Sequence, residues 1–290
     1  MNRMLVEASA KINLTLDILG KRPDGYHELR SVMQSVSLCD RLSVTLNGTG
    51  KIRVFCDRPD VPTGPENTVY RAAEAFFRKT GLIGKGADIA IEKRIPSRAG
   101  LGGGSADAAA VLRALDRLCG TGLALCRLEE IGFSAGADVP FCIAGGTVLA
   151  EGRGERLTSL RTLPPCGIVI CKPADGVGTK EAYDALDASG APPSYGTGPM
   201  LAALGEENLM SVADSLGNGF EKAARKEKTA RIECEMLAAG AIGACQTGTG
   251  SAVFGLFRGE SEAAECRDRM AAKYEDVFCC FPLENYFAKF

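Results

Sequence analysis

The sequence predicts a two-domain protein built from both strands and helices, and three observations carry that expectation. The 290 residues exceed what one hydrophobic core usually holds. Apolar residues recur at strand period in some stretches and at helix period in others. Composition changes after Gly152-Arg153-Gly154-Glu155, ahead of Pro164-Pro165, which puts the boundary near residue 155 and the domains at 1–155 and 156–290.

The elements follow in order. Residues 12–18 alternate strictly, so a strand is predicted with Ile12, Leu14, Leu16 and Ile18 on one side. Lys11, Asn13, Thr15 and Asp17 face the other. Leu42, Val44 and Leu46, then Asn47-Gly48-Thr49-Gly50, then Ile52 and Val54, read as a hairpin over 42–57. Asn67 is placed to cap a helix that buries Val69, Ala72, Ala73 and Phe76 and stops at Gly81. A strand over 87–95 ends at Pro96. A helix then puts Ala108, Val111, Leu112, Leu115, Leu118 and Cys119 on one face and ends at Gly120. Gly136-Ala137-Asp138-Val139-Pro140-Phe141 reads as a strand–turn–helix passage, with Asp138 at the cap and Pro140 in the first turn. Beyond the boundary come a strand at Ile168–Cys171, a mobile loop from Gly190 to Pro199, helices near 219–239 and 261–273, and strands near 252–257 and 277–288.

Composition narrows the function. With 46% hydrophobic and 24% charged residues the chain is of the ordinary globular class. A net charge of −2 gives no global positive field for a polyanion, so nucleic acid is not the expected partner. No apolar run approaches the ~20 residues of a membrane span. Residues 1–7 lack the basic start and apolar stretch of a signal peptide, so the cytoplasm is the expected location. The twelve cysteines never take C-x-x-C spacing and accompany a single histidine, His27, so most read as small buried apolar groups. That lone imidazole excludes a multi-histidine metal site, and any Ser-His triad would have to use it.

The most informative stretch is Pro96-Ser97-Arg98-Ala99-Gly100-Leu101-Gly102-Gly103-Gly104-Ser105, running into a helix. Without Cβ atoms, successive backbone N–H groups can turn inward around an anion, and the helix start adds its dipole. Ser105 can cap that helix or donate to a phosphate oxygen. The loop is neither a Walker A, since Gly104 precedes Ser105 where lysine is required, nor a dinucleotide fingerprint, since Ser105 holds the third glycine position. The plain alternative is a flexible turn. A second glycine turn, Gln246-Thr247-Gly248-Thr249-Gly250-Ser251, precedes an apolar strand and by itself reads as an ordinary turn.

Ala10-Lys11-Ile12-Asn13-Leu14, the loop Gly100–Ser105 and Thr247–Gly250 together resemble the three motifs of the GHMP kinase superfamily. Arg22-Pro23-Asp24-Gly25-Tyr26-His27-Glu28-Leu29, with the segments at 136–141 and 152–155, narrows the resemblance to its branch acting on a cytidine diphosphate-linked methylerythritol. The resemblance implies an α+β fold, with an N-terminal ATP-binding domain like domain 2 of ribosomal protein S5 and a ferredoxin-like C-terminal domain. It further implies a substrate held between them, and ATP with Mg²⁺ as cofactors. Lys11 and Asp138 would be the catalytic pair, with Asp138 and Asn13 touching substrate. Tyr26 and His27 would recognise the cytidine, and Tyr183, four residues after Thr179, would stack on the base from the opposite side. Pro96, Gly100, Leu101, Gly102, Gly103, Gly104 and Ser105 would wrap the ATP phosphates, completed by Thr247, Gly248, Thr249 and Gly250.

Two positions depart from the pattern. Ala106 stands where the family often has a second serine, and Gly219, in Asn218-Gly219-Phe220-Glu221, stands where it has a carboxylate. Read without the resemblance, Lys11 also suits a solvated strand lysine, Asp138 a simple cap, and Tyr26 and His27 a turn aromatic and a surface imidazole. Another GHMP kinase, acting on homoserine or a mevalonate-type alcohol, would explain the glycine turns but not Arg22 to Leu29. A non-catalytic nucleotide or RNA binder is opposed by the net charge and by the joint presence of Lys11 and Asp138.

Overall fold

The computed structural model describes residues 2–176, 178–190, 196–224 and 227–285. Strands β1 (Arg3–Lys21), β2 (His27–Asn47) and β3 (Ile52–Cys56) precede α1 (Thr68–Thr80), β4 (Gly86–Glu92), α2 (Gly103–Cys119), α3 (Leu125–Ala135) and α4 (Val139–Ala144). Next come β5 (Thr147–Gly152), β6 (Arg156–Ser159), β7 (Gly167–Lys172), α5 (Thr179–Ser189), α6 (Thr197–Gly205) and α7 (Leu209–Asp214). The chain continues with β8 (Gly217–Asn218), α8 (Gly219–Ala224), α9 (Glu227–Ala238), β9 (Gly243–Gln246), β10 (Val253–Phe257), α10 (Glu260–Ala271) and β11 (Asp276–Cys280). Two compact units result. The first comprises Met1–Ala10, Cys39–Ile95 and Gly102–Ala144, the second Lys11–Leu38, Pro96–Leu101 and Gly145–Phe290.

In the first unit, β4 lies between β2 and β3, antiparallel to the one and parallel to the other. The hairpin expected over 42–57 is therefore not formed, although both strands exist. The reason is local. Gly86 opens β4 where a Cβ would stand 2.2 Å from the Lys51 carbonyl oxygen, so only glycine lets a strand enter between the ends of β2 and β3. Ala87 then donates to that carbonyl at 3.1 Å. β4 stops before Pro96 because the backbone is diverted: Lys93 N–H donates to Asp57, and the Arg94 and Ile95 N–H groups both donate to Asp40 Oδ1.

Helix α1 begins and ends as expected. Asn67 Oδ1 accepts from Val69 N–H at 2.7 Å, and Gly81 closes it in the left-handed region at φ 69°. Its face of Val69, Ala72, Ala73 and Phe76 is fully buried, and α1 packs on α2 and α3. Helix α2 likewise ends at Gly120, with Leu118 and Cys119 only half-buried. The residues before Gly136 form α3 rather than a strand. Gly132 in α3 is packed so closely by α4 that a Cβ there would stand 2.7 Å from Val139 Cγ1, so the two helices need the glycine between them.

The second unit holds an antiparallel sheet in the order β11-β7-β10-β9. With α9 between β7 and β9, and α10 between β10 and β11, this is the expected ferredoxin-like arrangement. Its core joins Val169, Cys171, Val253 and Phe257 of the sheet to Ile232 and Met236 of α9 and to Ala263, Cys266 and Met270 of α10. The same unit carries a second set of pairings, β8 parallel to β1, and β2 antiparallel to β5, which pairs with β6. The loop expected over 190–199 gives way to α6 from Thr197, with 191–195 outside the described residues. The helix expected over 219–239 is split into α8 and α9, with 225–226 outside the described residues. The last strand ends at Cys280, and residues 286–288 of that expectation lie outside the described ones. All twelve cysteines are free thiols, six buried, three half-buried and three exposed.

Candidate active site

Strand β1 places Lys11, Asn13, Thr15 and Asp17 on one face, as its alternation requires, and the fold then covers that face too. All four are at most 4% exposed, against the plain reading of Lys11 as a solvated lysine. Burying polar groups is unfavourable unless each finds a partner, and here each does. Lys11 Nζ donates to Asn13 Oδ1 at 2.6 Å, and Asn13 Nδ2 donates to Ser31 Oγ at 2.8 Å. Ser31 Oγ donates to the Thr15 carbonyl, and Thr15 Oγ1 accepts from Val32 N–H and pairs with Thr197 Oγ1. The Asp17 carboxylate accepts the N–H groups of Gly196 and Thr197, at 2.7 and 2.9 Å, and so closes the start of α6.

The two glycine turns meet beside this row. Gly100, at φ 77°, turns so close to the second segment that a Cβ would stand 2.1 Å from the Thr247 carbonyl oxygen. Gly248, at φ 56°, has the same constraint in return: a Cβ there would lie 3.0 Å from Gly100 and 3.3 Å from Lys11 Nζ. Glycine is required because two backbones and a lysine occupy the space of a side chain. Buried Thr247 accepts from Asn13 N–H at 3.0 Å, Lys11 N–H donates to the Leu101 carbonyl, and Ala252 N–H donates to the Ala99 carbonyl. The second turn is more than an ordinary loop tip.

It is also braced from behind. Asn218 Nδ2 donates to the carbonyls of Gln246 and Gly248 at 2.9 and 2.8 Å, and Glu221 Oε1 accepts from Gln246 N–H at 2.9 Å. The departure at Gly219 thus leaves its neighbours Asn218 and Glu221 holding the turn. Sequence reading had no signal for this, since the partners are 25 to 30 residues apart.

In the first unit, the glycine loop enters α2 with Gly102 as its cap at φ 69°, without any side-chain cap. Ser105 is the third residue of the helix and does not cap it, so its hydroxyl is left for other contacts. Gly136 comes close to it: a Cβ on Gly136 would lie 3.7 Å from Ser105 Oγ. Asp138, half-buried, stands immediately before α4, and its carbonyl accepts from Cys142 N–H. It holds the N-cap position expected of it, and Pro140 lies in the first turn. Beneath the loop lies Lys93, its side chain 6% exposed, paired with Asp40 and, at 2.8 Å, with Asp107 Oδ2. A Cβ on Gly103 would meet Lys93 Nζ at 3.2 Å and Ile95 Cγ2 at 3.1 Å, so this glycine is needed for packing against the protein itself. Burial, opposed by Lys93, pushes the Asp107 carboxyl up to about 7, and its Oδ1 has no hydrogen-bond partner.

Back in the second unit, the hairpin between β1 and β2 displays Tyr26 and His27. Arg22 N–H donates to the Tyr26 carbonyl at 2.7 Å, and Gly25 supplies the positive φ. Tyr26 is 54% exposed, and the Arg153 guanidinium lies 3.5 Å from its ring centroid. The His27 imidazole is stacked on Tyr183 at 4.8 Å, and Tyr183 meets Phe220 edge-on. Tyr183 therefore packs on the histidine in this structure. Thr179 is exposed at the first position of α5, one turn before Tyr183. Arg153 and Asp187 carried no expected role.

Comparisons with known proteins give the family and the fold. Family models match residues 67–146 (GHMP kinases N terminal domain) and 200–276 (GHMP kinases C terminal). A 4-diphosphocytidyl-2-C-methyl-D-erythritol kinase of Pelotomaculum thermopropionicum is 46% identical over 92% of this chain and 92% of its own. The chain belongs to the GHMP kinases, in the 4-diphosphocytidyl-2-C-methyl-D-erythritol kinase family. A crystal structure of 4-(cytidine 5'-diphospho)-2C-methyl-D-erythritol kinase superposes with a TM-score of 0.80 at 35% identity, covering 96% of this chain and 99% of that one. Homoserine kinase from Cytophaga hutchinsonii shares the fold, with a TM-score of 0.78 at 20% identity over 98% of this chain and 96% of that one. Among the described residues no helix is long and apolar enough to cross a membrane.

Proposed function

We propose that this chain transfers the γ-phosphoryl group of ATP to the 2-hydroxyl of 4-diphosphocytidyl-2-C-methyl-D-erythritol, a step of the non-mevalonate route to isoprenoids, in the cytoplasm. The observation that carries the reading is the buried pair Lys11–Asn13, tied through Thr247 to the glycine turn at Gly100. A buried lysine beside two glycine turns is the arrangement that phosphate handling calls for.

The roles divide by residue type. A tertiary alcohol is a weak nucleophile, so transfer benefits from positioning and from a base at the hydroxyl proton. Asp138 takes that proton. Lys11, held by Asn13 Oδ1, is a fixed cation that offsets charge on the transferring group. Asn13 orients the substrate. Pro96, Gly100 to Ser105, and Thr247 to Gly250 wrap the phosphates, and Tyr26, His27, Thr179 and Tyr183 hold the cytidine. A division at residue 155 is compatible with the family matches, which end at 146 and resume at 200, whereas the compact units place 11–38, 96–101 and 145–155 with the C-terminal part.

Mg²⁺ belongs to the proposal through its chemistry, which offsets phosphate charge. Among the described residues no three His, Cys, Asp or Glu side chains gather as a metal cage. An ion held chiefly by phosphate oxygens and water needs only one or two protein oxygens, and the uncapped first turn of α2 leaves Ser105 Oγ to serve as one.

A coupled assay of ATP turnover tests the reading with three conditions: the cytidine-diphospho substrate, homoserine, and no acceptor. Turnover with the first alone is expected. Turnover with homoserine instead would assign the chain to another alcohol, and ATP binding without turnover in any condition would favour a binding protein.

A further inference from the structure

The imidazole of His27 is held by a carboxylate 160 residues away: its Nε2 lies 2.8 Å from Asp187 Oδ1. This contact comes from how α5 is seated. Ala182 and Leu186 are buried against Leu16, Ile18 and Phe220, which turns Tyr183 and Asp187, four residues apart on the helix, toward the β1–β2 hairpin. One of them stacks on the His27 ring and the other takes its edge. Lys21 Nζ binds the second oxygen of Asp187 at 2.5 Å. Together with the bond from His27, it holds that carboxyl below the usual carboxylate range. An ionised carboxylate only accepts hydrogen bonds, so the ring hydrogen must be on Nε2. A neutral imidazole then carries a bare lone pair on Nδ1. Among the described residues the hydrogen bonds of this ring run through Nε2 to Asp187.

We propose that Asp187 is the positioning residue that makes His27 a reader of the pyrimidine amino group, by fixing the imidazole as the Nε2–H tautomer so that Nδ1 accepts. The exocyclic amine of cytosine donates to such a nitrogen. Uracil presents a carbonyl at the same place, and two lone pairs then face each other. The stack on Tyr183 keeps the ring from swinging to offer Nε2 instead. Specificity for the amino-bearing base thus comes from a residue that never touches it. This rests on the proposed function, since it assumes a cytidine-linked substrate.

The test exploits the fact that His27 is the only histidine in the chain. Nitrogen NMR of the full-length protein with ¹⁵N-labelled histidine reports one imidazole, and its two ring shifts read the tautomer directly. The wild type is expected to show Nε2 protonated and Nδ1 bare. Asp187→Asn, whose amide can donate as well as accept, and Asp187→Ala are expected to show a mixture. In parallel, kcat/KM is measured for the cytidine-diphospho and uridine-diphospho forms of the substrate. The cytidine preference should fall roughly tenfold in both variants, the size of one ordinary hydrogen bond, through KM and with the KM for ATP unchanged. Lys21→Ala keeps the His27 contact and should keep most of the preference. A wild-type ring proton on Nδ1, or a preference unchanged in folded Asp187 variants, overturns the inference. A wild type that turns over neither nucleotide form overturns the proposed function instead, while the NMR result still decides the part played by Asp187.

Discussion

Asn13 and Thr247, 234 residues apart, are joined twice: the Asn13 N–H donates to Thr247 Oγ1 at 3.0 Å, and that hydroxyl lies 3.3 Å from Asn13 Oδ1. The hydroxyl is equally near the Gly100 carbonyl, at 3.3 Å. One buried side chain therefore connects the strand bearing Lys11, the first glycine turn and the second. The lysine is held in turn by the same Asn13 Oδ1. Its position thus depends on a turn near the other end of the chain.

Thr247→Val keeps the shape and removes the hydroxyl. The buried Asn13 N–H then has no acceptor, at a cost of about 1–3 kcal/mol. Chemical denaturation should show a lower midpoint with an unchanged slope, and Thr247→Ser should recover most of it. Equal midpoints for the valine and wild-type proteins would mean that the contact contributes nothing net.

The glycines of the loop should separate by position. Gly100→Ala places a methyl group against the Thr247 carbonyl at a positive φ, so the folded yield and midpoint should drop. Gly104→Ala meets only Thr68 Oγ1, at 3.8 Å, and lies within α2, where alanine is the better helix former by roughly 1 kcal/mol. It should leave stability intact and raise the KM for ATP. Unchanged ATP affinity in that variant would remove this position from the nucleotide site.

Asp138→Asn keeps size and most capping capacity while removing charge and basicity. A positioned general base contributes ~10²- to 10⁴-fold, so kcat should fall by that order with ATP binding largely preserved. A residue serving only as a cap would instead lower stability by about 1 kcal/mol and spare kcat. Measuring kcat and the unfolding midpoint on one preparation separates the two.

Asp107 makes stability depend on pH in a stated direction. Its folded pKa is pushed up to about 7, above the ordinary carboxylate value, so the native protein holds a proton that the unfolded chain gives up. The stabilisation is complete below about pH 4 and fades as pH rises through about 7. Asp107→Asn carries no such proton. The stability of wild type relative to the variant should decline across that window and level off above it. A difference that stays flat from pH 4 to 8 would show that Asp107 is ionised throughout.

Much of the architecture was legible in the chain because its causes are local. The cap at Asn67, the stops at Gly81 and Gly120, and the strand ending at Phe257 are each determined within a few residues, by capping, left-handed glycine or apolar period. The alternation of residues 11–18 showed which side chains share a face of β1, and the motifs drew Lys11, Gly100 and Thr247 into one candidate site. Tertiary structure decided the rest. It put β4 between β2 and β3, because register is chosen by whichever strand can enter, and Gly86 lets β4 do so. It buried both faces of β1, which no periodicity announces, because Ser31, Thr197 and Thr247 supply partners that make burying polar groups tolerable. It gave His27 to Asp187 and the second glycine turn to Asn218 and Glu221. A side chain's own type determines what bond it can make. Which partner it meets is set by the packing of apolar faces elsewhere, as Ala182 and Leu186 do for Asp187.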